Sequence, residues 1–268
     1  MKFKFFNTVL MGLILSINSL SATAEIITPP VYEGNALFNT YSHGGGYSAA
    51  HNEYWYPQWA GDTIYRYDEN YNLLGSFQSG QSQMMQLWGD TDGSYYTANW
   101  SYNTITKKAG MNDNSTLWTY NLGSVASGVT ADSNYVYAMS YWSNQVRKLD
   151  VDTGLLVDTF NLMSVGTTTY GGLLVVDNNF FRIDRNGYVN RYDLDTGEQE
   201  SFYLTNRSQS VYNMSFNGEQ VLFSGNSGTS NIFRFSDGIT QEVPEPSTLA
   251  IFALGMIGLA SRRFKKHS

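Results

Sequence analysis

Between residues 45 and 242 the chain is written in short runs of β-branched and aromatic residues, broken by clusters of Asp, Asn, Gly and Ser. Runs of this length and composition predict strands, and the clusters between them predict turns. Residues 127–131, 135–141, 145–151 and 155–160 are four such runs, separated by Asp132-Ser133-Asn134, Ser143-Asn144 and Asp152-Thr153-Gly154. Residues 171–176, 179–183, 188–194 and 199–204 repeat the plan. No helical periodicity interrupts this texture outside the two ends of the chain.

The pattern is periodic. Ile64, Ile105, Val146, Val189 and Ile232 each open a strand-like run and each has a basic residue two positions later; their spacings are 41, 41, 43 and 43 residues. Four strands per period, recurring five times, predict an all-β protein, a five-bladed β-propeller with four-stranded blades over residues 45–242. The fifth period has only a weak outer strand, at 239–243. The N-terminal segment 25–44, through residues 36–41, is expected to pair there and close the ring. A degenerate sixth blade from residues 26–60 is the alternative, and a two-sheet sandwich is disfavoured because it gives no reason for the period.

Both ends read as targeting segments. Lys2 and Lys4, the apolar stretch 9–17 and Ala22-Thr23-Ala24 form a secretory signal peptide over residues 1–24. At the other end, residues 243–268 comprise Val243, Pro244, Glu245 and Pro246, an apolar run at 249–260, and Arg262, Arg263, Lys265 and Lys266. Twelve apolar residues make about 18 Å of helix against a hydrocarbon core of about 30 Å, so a transient transmembrane helix fits better than a stable anchor. The basic end would stay in the cytoplasm.

This tail resembles the PEP-CTERM sorting signal of exported proteins in Gram-negative bacteria that make extracellular polymers. The resemblance covers residues 243 to about 266 and implies an exosortase-type processing enzyme in the membrane as a partner. It also implies transient anchoring in the inner membrane, then transfer to the cell surface or extracellular matrix.

Charge narrows the list of partners. Residues 25–246 hold ten of the sixteen Lys and Arg against all twenty-three Asp and Glu, a formal charge of −13. Repulsion from phosphates disfavours nucleic acid, whereas neutral, hydroxyl-rich polymers remain acceptable. There is no cysteine, so packing rather than disulfides must hold the exported body together.

Candidate chemistry is sparse. Asp150-Val151-Asp152-Thr153-Gly154 and Asp193-Leu194-Asp195-Thr196-Gly197 begin like calcium loops. Asn161 and Leu204 stand where the closing carboxylate belongs, so hairpin turns are expected instead. His43 and His51 have no third ligand at a recognisable spacing. His43 precedes Gly44-Gly45-Gly46 and is expected in a solvent-exposed loop; no metal, cofactor or catalytic residue is assigned.

Trp59, Trp100 and Trp142 precede the aligned starts by five, five and four residues, with Tyr102 and Tyr141 beside them. They are expected near one another, either filling gaps between blades or forming a mouth that stacks on sugar rings, with Asn99, Asn103 and Asn144 bonding hydroxyls. The leading reading is a non-catalytic surface or matrix protein that binds or scaffolds an extracellular ligand such as polysaccharide. The alternative is a secreted glycan-degrading enzyme, with Asp62, Asp90, Asp132 and Asp177 as the first carboxylates to test. Ice binding ranks lower, because only Thr167-Thr168-Thr169 hints at a regular threonine array.

Overall fold

The computed structural model describes residues 31–38, 42–163, 172–204, 211–225 and 229–234. The signal segment, the stretches 167–169 and 239–243, and the sorting tail lie outside them. The described residues form antiparallel meanders of four strands. The first comprises β2 (Gly46–Ser48), β3 (Glu53–Pro57), β4 (Thr63–Tyr67) and β5 (Leu73–Gln78). The second comprises β6 (Met84–Gly89), β7 (Tyr95–Asn99), β8 (Thr104–Lys108) and β9 (Thr116–Asn121). A single parallel bridge, Ser48 to Gly89, joins these two. The third comprises β10 (Ala126–Ala131), β11 (Tyr135–Ser140), β12 (Gln145–Asp150) and β13 (Leu156–Asn161). The fourth comprises β14 (Gly172–Val176), β15 (Asn179–Ile183), β16 (Tyr188–Asp193) and β17 (Gln199–Tyr203).

The last sheet is assembled from both ends of the chain. Strands β18 (Asn213–Phe216), β19 (Gln220–Ser224) and β20 (Thr229–Arg234) are followed in the sheet by β1 (Val31–Leu37), which pairs antiparallel with β20. The N-terminal strand therefore begins five residues earlier than residue 36 and occupies the outer position. Two polar contacts fix its register: Arg234 Nε donates to Glu33 at 2.7 Å, and Asn231 Nδ2 donates to Asn35 at 2.6 Å.

Ile64, Ile105, Val146, Val189 and Ile232 all lie in the third strands, where they are buried. Burying an aliphatic side chain of this size stabilises a fold by about 1.5–3 kcal/mol, which accounts for the recurring β-branched start. The base two positions later turns sideways to a neighbour. Arg66 pairs with Glu53, Lys148 sits 3.8 Å from the Tyr135 ring centroid, and Arg191 pairs with Glu200.

Each meander packs face to face with the next. Trp55 and Ile64 meet Leu87 and Tyr95; Ala98 and Ile105 meet Val129 and Val136; Met139 and Val146 meet Leu173 and Phe180. Phe181 and Val189 meet Met214 and Phe223, and Leu222 and Ile232 meet Tyr54 and Tyr56 of the first meander. At that last seam the Tyr56 hydroxyl lies 2.9 Å from Ser224 Oγ and 3.0 Å from Ser230 Oγ, while Phe38 stacks on the Tyr56 ring at 3.8 Å. The first strands contact one another in the cyclic order β2, β6, β10, β14, β18 and back to β2.

Crowding of the first strands decides their residues. A side chain at Gly46 would run into the Leu87 carbonyl, and one at Gly172 into the backbone of Asn213 and Met214. Where first strands converge, their free edges present backbone N–H and C=O groups that need partners. Gln86 supplies them: its Oε1 accepts from Val129 N and Leu173 N at 3.0 Å each, and its Nε2 donates to Leu173 O at 2.7 Å and Met214 O at 3.1 Å. Both amide hydrogens and both oxygen lone pairs are thus used, and one fully buried side chain from β6 ties together β10, β14 and β18.

Candidate binding face

Strand direction divides the turns between two ends of the molecule. The turns joining second to third strands, together with the entries to the first strands, lie at one end. Turns joining first to second and third to fourth strands lie at the other. Trp59, Trp100 and Trp142 occupy second-to-third turns, so antiparallel pairing alone brings them to the same end. Backbone bonds tie two of these turns to one entry loop: Gln83 N donates to Trp59 O at 2.9 Å, and Trp100 N donates to Gln83 O at 3.0 Å.

The rings form a continuous edge-to-face chain. Tyr212 lies 5.1 Å from His43, His43 4.0 Å from Trp59, and Trp59 6.2 Å from Trp100. Trp100 lies 4.9 Å from Tyr141, which lies 4.7 Å from Trp142. Edge-to-face pairs of Trp and Tyr at such separations are each worth about 0.5–1.5 kcal/mol beyond their burial, which favours this arrangement of the rings. Trp142 ends it with 67% of its surface exposed, whereas Trp59 and Trp100 are half-buried and Tyr141 is buried. Tyr102, 65% exposed, stands on the same turn as Trp100 but outside the stacked chain.

Beyond Trp142 the face turns polar. Arg182 Nη1 donates to Asn144 Oδ1 at 2.8 Å, and the Arg185 guanidinium lies 5.9 Å from the Tyr212 ring centroid. Burial raises the Asp184 carboxyl above its ordinary range, against the opposing pull of backbone N–H donors from Tyr188 and Asn186 and of the Arg182 charge. Burial likewise lowers Arg182. His43, partly enclosed between Trp59 and Tyr212, is pushed down to about 4 by desolvation, so it is neutral at neutral pH.

Several expectations need correction. His43 is not in a solvent-exposed loop; it is a half-buried link in the aromatic chain, because the glycines after it let the segment pass close beneath Trp55 and Tyr56. Asn99 is fully buried and committed internally, donating to Ser82 O at 2.7 Å and accepting from Tyr102 N at 2.9 Å, so it cannot greet a ligand. Asn144 is engaged by Arg182. Sequence reasoning missed Asp184 and Arg185, although they precede Val189 by five and four residues, the same offsets as the tryptophans; attention to aromatics alone hid them.

The two Asp-x-Asp-Thr-Gly segments are turns. Asp150 Oδ1 accepts from Thr153 N and Thr153 Oγ1 at 2.8 and 2.7 Å, and Gly154 takes φ +68°. Asp193 Oδ1 accepts from Thr196 N at 2.8 Å, and Gly197 takes φ +76°. Of the four carboxylates singled out, Asp62 lies in the turn that holds Trp59. Asp90, Asp132 and Asp177 lie at the opposite end, in first-to-second turns. Asp90 and Asp132 accept the hydroxyls of Tyr96 and Tyr137 at 2.7 and 2.8 Å.

No curated protein matches the chain. Among solved structures, Myxococcus xanthus glutaminyl cyclase superposes with a TM-score of 0.60 at 11% identity, covering 76% of this chain and 94% of that one. BamB from Moraxella catarrhalis aligns with a TM-score of 0.45 at 12% identity, covering 72% and 85%. At such identity the likeness to the cyclase is one of fold alone, all-β and propeller-like. No helix among the described residues is long and apolar enough to cross a membrane, and the apolar run 249–260 lies outside them. Residues 242–266 match the PEP-CTERM protein-sorting motif, which exosortase recognises. The motif implies export, with transient membrane anchoring before release at or beyond the cell surface.

Proposed function

We propose that this chain is an exported, closed five-bladed β-propeller, with the signal segment 1–24 and the tail 243–268 removed. In this reading it resides at the cell surface or in the extracellular matrix of a Gram-negative bacterium, and its aromatic face binds polysaccharide without cleaving it. The cyclic contacts of the first strands and the pairing of β1 with β20 support the closed ring. The observation that carries the binding reading is the ring chain from Tyr212 through Trp59 and Trp100 to an indole exposed over two thirds of its surface. Flat apolar rings held at a polar mouth suit the C–H faces of sugars, and the exposed Arg185 beside them suits hydroxyls.

A glycan array probed with the secreted protein tests this reading, with Trp142→Ala and Tyr102→Ala as controls, because these rings can be removed without opening a core. Binding lost in Trp142→Ala and unchanged stability is the expected result. Binding indifferent to Trp142 removes the proposal, and release of reducing sugar from matrix polysaccharide would replace it with the glycan-degrading enzyme.

A further inference from the structure

The end opposite the aromatic arc carries a cavity of about 190 Å³ where the first strands terminate. Trp88 and Phe216 line it with Tyr47 and Ala131, and Asp90 and Asp132 stand among its lining. Most of the wall is apolar and the charged groups are two carboxylates.

Trp88 is only partly buried although it packs against two cores, one between the second and third meanders and one between the fourth and fifth, so part of its indole remains open to the cavity it lines. The two carboxylates are aimed by their own turns. Asp90 Oδ1 accepts from Thr91 N at 2.7 Å and Asp132 Oδ1 from Asn134 N and Tyr135 N at 2.8 Å each, while the tyrosine hydroxyls hold the other oxygens. Neither carboxylate takes part in a salt bridge among the described residues. Two ammonium groups at this end are held on ring faces: Lys107 lies 5.3 Å from the Tyr96 ring centroid and donates to Val151 O at 3.3 Å, and Lys148 lies 3.8 and 5.9 Å from the Tyr135 and Tyr137 ring centroids.

Around the cavity, the first-to-second and third-to-fourth turns add Asp92, Asp152, Asp177 and Asp195 at the same end. Lys107, Lys108 and Lys148, late in their third strands, stand towards the same end, but the cavity's own lining is charged only by carboxylates. A concave apolar site lined by one sign of charge focuses the field and concentrates the opposite ion. An indole face gives a desolvated ammonium a further attraction that a neutral group lacks.

We infer that this cavity is a second ligand site, distinct from the aromatic face, which takes a small organic ammonium group against Trp88, between Asp90 and Asp132. It is independent of the polysaccharide reading.

Calorimetric titration of the full exported protein with choline, alongside its uncharged carbon isostere, tests it. Choline is expected to bind at least about tenfold more tightly than the isostere, because only the cation gains from carboxylates and indole. Added salt should narrow the gap. In the double variant Asp90→Asn, Asp132→Asn each Oδ1 still accepts from its turn and each Nδ2 donates to the tyrosine hydroxyl, whose oxygen can accept; it should weaken choline about tenfold without changing the isostere. Trp88→Leu should weaken both, and Trp142→Ala neither. Unfolding midpoints check that each variant folds; if Trp88→Leu does not, the Asn pair still decides. Equal binding of choline and isostere, no binding of choline by the unmodified protein, or undiminished affinity in the Asn pair overturns the site.

Discussion

Gln86→Leu should be among the most damaging single substitutions in the protein, although it replaces a polar residue with an apolar one of similar size in a fully buried place. The Gln86 amide serves four backbone groups on three other strands, Val129 N, Leu173 N, Leu173 O and Met214 O. Leucine serves none of them. Each buried group left without a partner costs about 1–3 kcal/mol, so even the lower figure gives a loss of about 4 kcal/mol. That is a large part of the roughly 5–15 kcal/mol by which domains are stable. With a urea slope of about 2 kcal/mol/M, the midpoint should fall by about 2 M.

Gln86→Glu sharpens the test. A buried glutamate would stay neutral, its pKa raised above the unfolded value of about 4.3. The native state then holds a proton that the unfolded state releases, so the variant should lose stability as pH rises from about 4 until the raised pKa is passed. Equilibrium urea unfolding of both variants across pH provides the measurement. A loss below about 1 kcal/mol for Gln86→Leu would refute the claim that this amide satisfies the strand edges.

Other consequences follow from particular contacts. Gly154→Ala should cost about 3 kcal/mol, because it combines a positive φ with a Cβ 2.6 Å from Trp118 Cδ2, whereas Gly197→Ala, whose nearest neighbour is 3.5 Å away, should cost only about 1 kcal/mol by thermal unfolding. His43 is held low, so the unfolded state takes up its proton first. Stability should fall as pH drops from about 6.5 towards 4, by about 1–2 kcal/mol after allowance for solvent screening, and the step should vanish in His43→Gln. Burial alone would raise the Glu53 carboxyl, but Arg66 and the Trp55 indole N–H hold it below its ordinary value. Its contribution should persist above about pH 4.5 and be lost as pH falls, and Glu53→Gln should flatten that limb of the acid unfolding curve. Deleting residues 25–38 should leave β20 with an open edge, seen as a lower unfolding midpoint and self-association in light scattering.

Part of the site was legible without coordinates. Trp59, Trp100 and Trp142 stand four or five residues before a repeating strand start, and antiparallel strands carry such offsets to one end. The same arithmetic reaches Asp184 and Arg185. His43 and Tyr212, 21 and 20 residues before Ile64 and Ile232, lie on entry segments to the first strands and carry no shared residue type to mark them; they join the arc because the first strands converge. Nor does the spacing show that Asn99 is spent internally, since burial depends on what lies above the turn.

The sequence by itself determined the strand-rich texture, the spacing of the third strands and the sorting tail, because each is written in neighbouring residues: β-branched runs, turn formers, a proline motif before an apolar stretch. Only the tertiary structure decided which residues of the N-terminal segment complete the last sheet, which glutamine closes the strand edges and where the negative charge gathers. Those outcomes rest on residues far apart in the chain, such as Gln86 with Leu173 and Glu33 with Arg234, brought together by the convergence of the sheets. Local pattern sets a residue's periodicity, but its distance from the centre, and with it the partners it must satisfy, exists only once the sheets have packed.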